Sequence, residues 1–326
     1  VPYIAESAAS VYPCTMNRSN PLFAVVALAV LGLAACQSSP NRVERAPSTH
    51  DTSPTVFSGE YDNHEQVWQA TQNVPPRVRF TLTPMADANW SAWRIDWNAD
   101  RKLSVTWMMR QELMADGKLR LTPHRPLVSN AAVDKRFDHK QWLALDACAL
   151  VGTSISGRFS AALNFAQCAT VAPGVGVEAA LLPLSIEREG EWLRVRVYAD
   201  QARAPDARSE ARRVRWFSGW AAINGAGAAA TSDSSDWHMN RELRIDTEGG
   251  SAALVWRDGK PSGYSITLER VTYREGNTPV LKLSVIEDSS GRAIVYSWAN
   301  PEASRIGLNL GWVQIGLELD SGFAKK

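Results

Sequence analysis

The chain has 326 residues, room for two domains, with 45% hydrophobic residues and a formal net charge of +1. The apolar content is that of a globular protein, and the charge balance gives no electrostatic basis for binding nucleic acid. All 13 tryptophans come after position 60, so each of these large rings must be buried, stacked or offered to a ligand.

Residues 1–15 share no pattern with the rest of the chain and read as upstream sequence, with Met16 as the start. Basic Arg18, the apolar run Leu22–Leu31 and Leu33-Ala34-Ala35 then supply the parts of a secretory signal over 16–35. The run is short for a transmembrane span. Cys36, directly after Leu-Ala-Ala, resembles the lipobox cysteine of bacterial lipoproteins. That resemblance implies cleavage before Cys36, its lipidation, and a membrane partnership through the lipid anchor. The next residue is Gln37 rather than Asp, which implies the outer membrane, facing the periplasm. An ordinary signal peptide with a chance cysteine is the alternative. Residues 36–56 are rich in Ser, Thr, Pro and charge and read as a flexible tether.

Order is expected from Phe57. Asp62 can cap a helix over Asn63–Gln72, with Glu65 completing a capping-box pattern and Val67, Trp68 and Ala70 presented to a core. After Pro75-Pro76 the period becomes two. Val78, Phe80 and Leu82, then Trp93, Ile95 and Trp97, then Leu103, Val105 and Trp107 alternate with polar residues, and Lys118–Thr122 adds a short strand. Such alternation means antiparallel sheet with one covered face. Asp134–Leu145 reads as a second short helix with Trp142 inward. Ala180–Glu187 and Trp192–Ala199 form a hairpin around Gly190, Asp200–Arg213 reads as a solvated loop or short helix, and Arg215–Asn224 returns to strand. Many short antiparallel strands with one apolar face predict a closed or nearly closed barrel.

Cys148 and Cys168 flank a hairpin that is interrupted at Gly152 and Gly157. In an oxidising compartment the pair can cross-link neighbouring strands, stabilising by roughly 3 kcal/mol on the chain-entropy model. Two buried free thiols are the alternative.

The order of these signals resembles the CpcT/CpeT family of phycobiliprotein chromophore lyases. The family's opening Gly-x-[Phe/Tyr]-x-Asn-x-x-Gln element is matched by Gly59, Tyr61, Asn63 and Gln66. A basic-apolar strand (Arg77–Pro84), a first cysteine strand (Asp146–Cys148), a Phe strand (Gly157–Phe159) and a second cysteine (Cys168) come next, in the family's order. Leu182–Asp200, Asp206–Arg213 and Trp216–Asn224 resemble its late hairpin, charged loop and final Trp strand, so the likeness covers about 56–224. Ala147 stands where the family has Gly. The resemblance implies a lipocalin-like calyx that holds a linear tetrapyrrole, and an enzyme that attaches a bilin to a protein cysteine. A periplasmic lipoprotein would not meet phycobiliproteins, which are made in the cytoplasm or stroma. The expected function is therefore binding of an apolar or tetrapyrrole-like small molecule, with a true lyase and a structural or interaction lipoprotein without ligand as alternatives.

Residues 225–236 are small and polar and read as a linker. Beyond it, Glu242–Ile245, Ala252–Trp256, Tyr264–Thr272, Val280–Glu287, Ala293–Trp298 and Arg305–Leu319 read as strands of a second all-β domain over 237–322. Asp258-Gly259 and Ser290-Gly291 are hairpin-turn signals within it. Its residues carry no family motif, and it either offers a surface to a protein partner or packs on the first domain as one continuous β structure. The expected fold is thus mainly β: a lipocalin-like antiparallel barrel over 57–224 with a short N-terminal helix, then a small sandwich.

The residues carry little overt chemistry. Gly174–Ala179 and Gly225–Ala230 fit a loose dinucleotide fingerprint but lack the strand–turn–helix setting it requires, so both read as loops. Gly-x-Ser-x-Gly is absent, so no nucleophile elbow is signalled, and the five histidines, His50, His64, His124, His139 and His238, show no metal spacing; a bilin or other tetrapyrrole, implied by the resemblance, is the one ligand expected. Tyr61, Asn63, Gln66 and Arg79 are candidates for holding a ligand carboxylate at the calyx mouth, Arg79 bidentately; helix capping and strand surface are their plainer roles. Trp93, Trp97 and Trp107 are candidates for lining an apolar cavity, with core packing as the plainer role. Arg203–Arg213 offers a partner or headgroup surface, or simply a solvated loop.

Overall fold

The alternating segments all become strands. A computed structural model describes residues 57–98, 102–127, 133, 137–202, 207–273 and 277–320. The expected upstream segment, signal, lipidated Cys36 and tether fall on residues 1–56, outside the described residues. The first half of the described chain supplies β1 (Gly59–Asp62), α1 (His64–Gln69), β2 (Arg77–Pro84), β3 (Trp90–Asn98), β4 (Lys102–Leu113), β5 (Leu119–Pro126) and β6 (Trp142–Ala144). It continues with β7 (Leu150–Ile155), β8 (Arg158–Leu163), α2 (Phe165–Cys168), β9 (Pro183–Glu189), β10 (Trp192–Val197) and β11 (Ser209–Arg213).

The strand order β4-β3-β2-β1-β11-β10-β9-β8-β7-β5 closes through a β4–β5 pairing into an antiparallel barrel of 10 strands, and β6 adds to β5 from outside. Closure removes the unpaired edges that an open sheet would expose. Inward side chains lie in register: Leu82, Trp93 and Trp107 form one row, Phe80, Ile95 and Val105 the next, Val78, Trp97 and Leu103 the third. One barrel end carries tight hairpins. The β7–β8 turn places Ser156 and Gly157 at φ 51° and 82°, the left-handed pair that a two-residue hairpin requires. Phe57, fully buried, stops this end, with its ring 5.2 Å from Trp93 and 5.0 Å from Phe159. The other end is covered by helical pieces, including 3-10 turns over Ala172–Leu181 whose Val175, Ala179 and Leu181 join the barrel core. There the disulfide Cys148–Cys168 ties the entry of β7 to α2, with both cysteines buried.

The second half gives β12 (Trp216–Asn224), β13 (Trp237–Asp246), β14 (Glu248–Val255), β15 (Pro261–Val271), β16 (Val280–Glu287), β17 (Arg292–Ala299), β18 (Arg305–Asn309) and β19 (Val313–Leu319). They form two four-stranded sheets, β13-β12-β19-β18 and β14-β15-β16-β17, over one shared core. Phe217, Ile245, Leu268, Leu283 and Leu317 are among its buried members. This is a sandwich.

Several expectations are corrected. The expected strand Arg215–Asn224 forms as β12 but pairs with β13 and β19, so it belongs to the sandwich and the barrel ends at β11. The expected linker 225–236 is the β12–β13 connection within one sheet. The helix α1 ends at Gln69, and its buried residues are His64 and Glu65, while Trp68 is exposed. The capping box does not form: Asp62 accepts from the His64 amide, and Glu65 turns to the Thr272 amide. The expected helix Asp134–Leu145 is, where described, a single 3-10 turn and the strand β6, with Trp142 buried as expected. The charged run ending at Arg213 holds β11, whose Ala211 and Arg212 are buried; residues 203–206 of that run lie outside the described residues. The expected long strand Arg305–Leu319 is the hairpin of β18 and β19.

Candidate functional site

The matched Gly-x-Tyr-x-Asn-x-x-Gln element forms a corner where β1 leaves the barrel and enters α1. Tyr61 is fully buried, and its hydroxyl donates to the Ser58 carbonyl at 3.3 Å. Asn63 continues the ladder after β1 has ended: its Oδ1 accepts from the Val78 amide at 2.7 Å and its Nδ2 donates to the Pro76 carbonyl at 2.9 Å. Gln66 grips the opposite neighbour, donating to the Arg208 carbonyl and accepting from the Glu210 amide. One short helix thus fastens both strands that flank β1.

Residue parity puts the charges of this corner on the outer face of the wall. Val78, Phe80 and Leu82 point into the barrel core, so Arg77 and Arg79 point out; Tyr61 and Ala211 point in, so Asp62 and Arg212 point out. Asp62 lies in register between Arg79 on β2 and Arg212 on β11. Its carboxylate accepts from Arg77 Nε at 2.6 Å and from Arg79 Nε at 2.8 Å.

The sandwich supplies the opposite half of this seam. Arg79 Nη2 reaches Asp246 Oδ2 at 3.0 Å, and Arg77 donates to the Glu248 carbonyl. Glu248, with no exposed surface, takes Arg212 bidentately at 3.2 and 2.9 Å and has Arg270 at 3.4 Å. Arg270 continues to Glu191 at 2.9 Å and to the Arg213 carbonyl at 2.9 Å, back on the barrel side. Arg212 also donates to the Arg270 carbonyl and has Glu65 at 3.8 Å. Four guanidiniums (Arg77, Arg79, Arg212, Arg270) therefore meet the carboxylates of Asp62, Glu65, Glu191, Asp246 and Glu248, with Glu302 3.5 Å from Arg270 and Glu60 4.0 Å from Arg79 at the edge of the network.

Burial pushes the Glu248 carboxyl above its ordinary value, against the pull of Arg212 and Arg270. Burial works against the Arg79 charge, but Asp246 and Asp62 outweigh it and hold the guanidinium above its ordinary range. These contacts all join protein to protein. Such a set locks two units in one arrangement, and removing a single partner strands a buried charge.

The tryptophans sit on the other side of the wall. Trp93 and Trp107 are paired in register and essentially unexposed, with Nε1 donating to Ser91 Oγ at 2.8 Å and to the Leu181 carbonyl at 3.1 Å respectively. Trp97 is half-buried against the same core at the helix-covered end. The structure thus brings Tyr61, Asn63, Gln66 and Arg79 to one corner, and Trp93, Trp97 and Trp107 to one stripe. It separates the two sets by the barrel wall: Arg79 faces the sandwich and does not reach into the barrel.

The buried partners Arg212, Asp246, Glu248 and Arg270 have one legible signal in the sequence. In β15 the buried parity runs Ile266, Leu268, Arg270, so a guanidinium occupies a core position. Among the described residues no group of three or more His, Cys, Asp and Glu could hold a metal ion, and no helix is long and apolar enough to cross a membrane. No protein-family model matches the chain, and no curated protein matches it in sequence.

Proposed function

We propose that this protein is a binding and scaffolding module of the cell envelope, built on a barrel like that of the bilin lyases, in which recognition takes place on the outer surface. The observation that carries this reading is the division made by the barrel wall. Phe57, Trp93 and Trp107 fill the interior, while Arg79, the candidate ligand cation, is spent outside on Asp62 and Asp246. The signal-like run and the lipobox-like Cys36 support an envelope location with a lipid anchor.

A second reading, a calyx for an apolar or tetrapyrrole-like ligand, is favoured by a specific observation. The barrel is closed, and its helix-covered end carries half-buried Trp97, Leu103, Leu163 and Tyr198. The lyase activity implied by the family resemblance depends on this second reading.

Titration of the purified chain with biliverdin and with haem, monitored by tryptophan quenching and visible absorbance, separates the two. The surface reading expects no saturable change. Saturable binding that is weakened by Trp97→Ala would overturn it in favour of the calyx.

A further inference from the structure

Four exposed aromatic rings run unbroken from the barrel's helix onto the sandwich. Trp68 of α1 meets Tyr273 at a centroid distance of 5.3 Å, Tyr273 meets Trp298 at 5.4 Å, and Trp298 meets Tyr296 at 5.3 Å with planes only 20° apart. Their relative exposures are 38%, 45%, 54% and 54% for Trp68, Tyr273, Trp298 and Tyr296. Lys282 reaches toward the strip, its Nζ 5.9 Å from the Tyr273 ring and 5.8 Å from the Tyr296 ring, and pairs with Glu269 at 3.5 Å. Ser284 is in register with Tyr296 and has the parity of Lys282, since Leu283 and Val285 point into the sandwich core. It is 1% exposed and its Oγ has no hydrogen-bond partner, an unspent polar group beneath the aromatic surface.

The dimensions and charge of the strip select its occupant. Four rings that bury about 150–250 Å² each when covered, and that are here about half exposed, offer about 400 Å². That is the size of a functional patch on a monomer, and about half of the roughly 800 Å² per partner that a stable protein interface needs. A single-stranded nucleic acid would stack on such rings but also needs cations for its phosphates. Lys282 is already neutralised by Glu269. An anionic membrane surface needs a basic face beside the apolar one. A pyranose ring has an apolar C–H face and a rim of hydroxyls, and carries no charge. It suits aromatic rings beside a mutually neutralised Lys–Glu pair.

We infer that Trp68, Tyr273, Trp298 and Tyr296 form a binding site for an uncharged saccharide chain, with C–H faces on the rings and hydroxyls at Lys282 and Glu269. The inference rests on the surface reading above and names its ligand class.

The test titrates the purified full chain with cellohexaose and chitohexaose by calorimetry and tryptophan fluorescence, with biliverdin and a thymidine oligonucleotide in parallel. Saturable binding of a hexasaccharide is expected, weakened about tenfold by Trp298→Ala and again by Tyr296→Ala, a loss of about 1.4 kcal/mol each. Both side chains lie about half exposed outside the sandwich core, so each variant should still fold cooperatively with only a small drop in thermal midpoint, and Trp298→Phe should keep most of the affinity. Failure of both hexasaccharides, or binding untouched by the double substitution, would overturn the site. Oligonucleotide binding lost in the double variant would overturn it in favour of nucleic acid, and a dimer dispersed by that variant in sedimentation would do so in favour of self-association. If biliverdin binds and the saccharides do not, the surface reading falls as well; if nothing binds, only the saccharide site falls.

Discussion

Arg212 and Glu248 meet in a bidentate ion pair, at 3.2 and 2.9 Å, where barrel and sandwich join, with the carboxylate fully buried and the guanidinium side chain 4% exposed. Taking two charges out of water costs several kcal/mol per ion, so the pair holds only because each also satisfies further groups. Glu248 has Thr247 and Arg270, and Arg212 has the Arg270 carbonyl. Arg212→Met should destabilise by about 3–5 kcal/mol, because it leaves Glu248 buried with fewer partners. Adding Glu248→Leu should recover part of that loss. Urea unfolding of both single variants and the double variant closes the cycle. Strictly additive losses would mean that the pair carries no coupling.

The Cys148–Cys168 bridge spans 20 residues and contains the whole β7–β8 hairpin. Replacing both cysteines with serine should lower stability by about 3 kcal/mol, by freeing that loop in the unfolded chain. Unfolding with and without reductant checks this. The double variant should lose its sensitivity to reductant, and a wild-type midpoint unmoved by full reduction would contradict the estimate.

Gly152 lies in β7 opposite Ala161 of β8, and a Cβ there would collide with the Ser160 carbonyl and the Ala161 side chain. Gly152→Ala should therefore break the local ladder. Amide exchange would report it, as lost protection at Leu150–Ile155 with the sandwich strands unaffected.

Burial pushes the His124 imidazole below its ordinary value of 6.5, with its ring 4.7 Å from Trp90. The unfolded chain then takes up the proton at higher pH than the folded one, so stability falls as pH drops through about 6.5 and stops falling below the folded value. His124→Gln should flatten that part of the profile. Urea midpoints measured between neutral and mildly acidic pH give the comparison, and an unchanged slope would remove His124 as its source.

The three rows from Val78 to Trp107 are legible in the sequence because period-two alternation reports a buried face directly. Pairing partners are not. The pattern of Trp216–Asn224 is that of any strand, and only β13 and β19 place it in the sandwich. The helix α1 misleads because the usual rule is reversed there: Glu65 is buried against Arg212 and Thr272, while Trp68 faces out. β11 is hidden in a charged run because Arg212 is matched by Glu248, 36 residues later. Local propensity cannot see such a partner. The corner motif stands out in the sequence as a unit; its hydrogen bonds show a fastening.

Phe57 has one consequence of a mechanical kind. It is the first described residue, it stops the hairpin end of the barrel, and β1, which begins almost at once, is laced on both sides to β2 and β11. A pull on the chain ahead of Phe57 would be resisted first by an aromatic stopper and then by two hydrogen-bonded ladders loaded along their length. Those bonds share the load instead of opening one at a time like a zip. The sandwich joins at that same end, where the Val214 amide donates to the Glu60 carbonyl and Trp216 Nε1 to the Glu60 carboxylate, so part of the tension would pass straight into it.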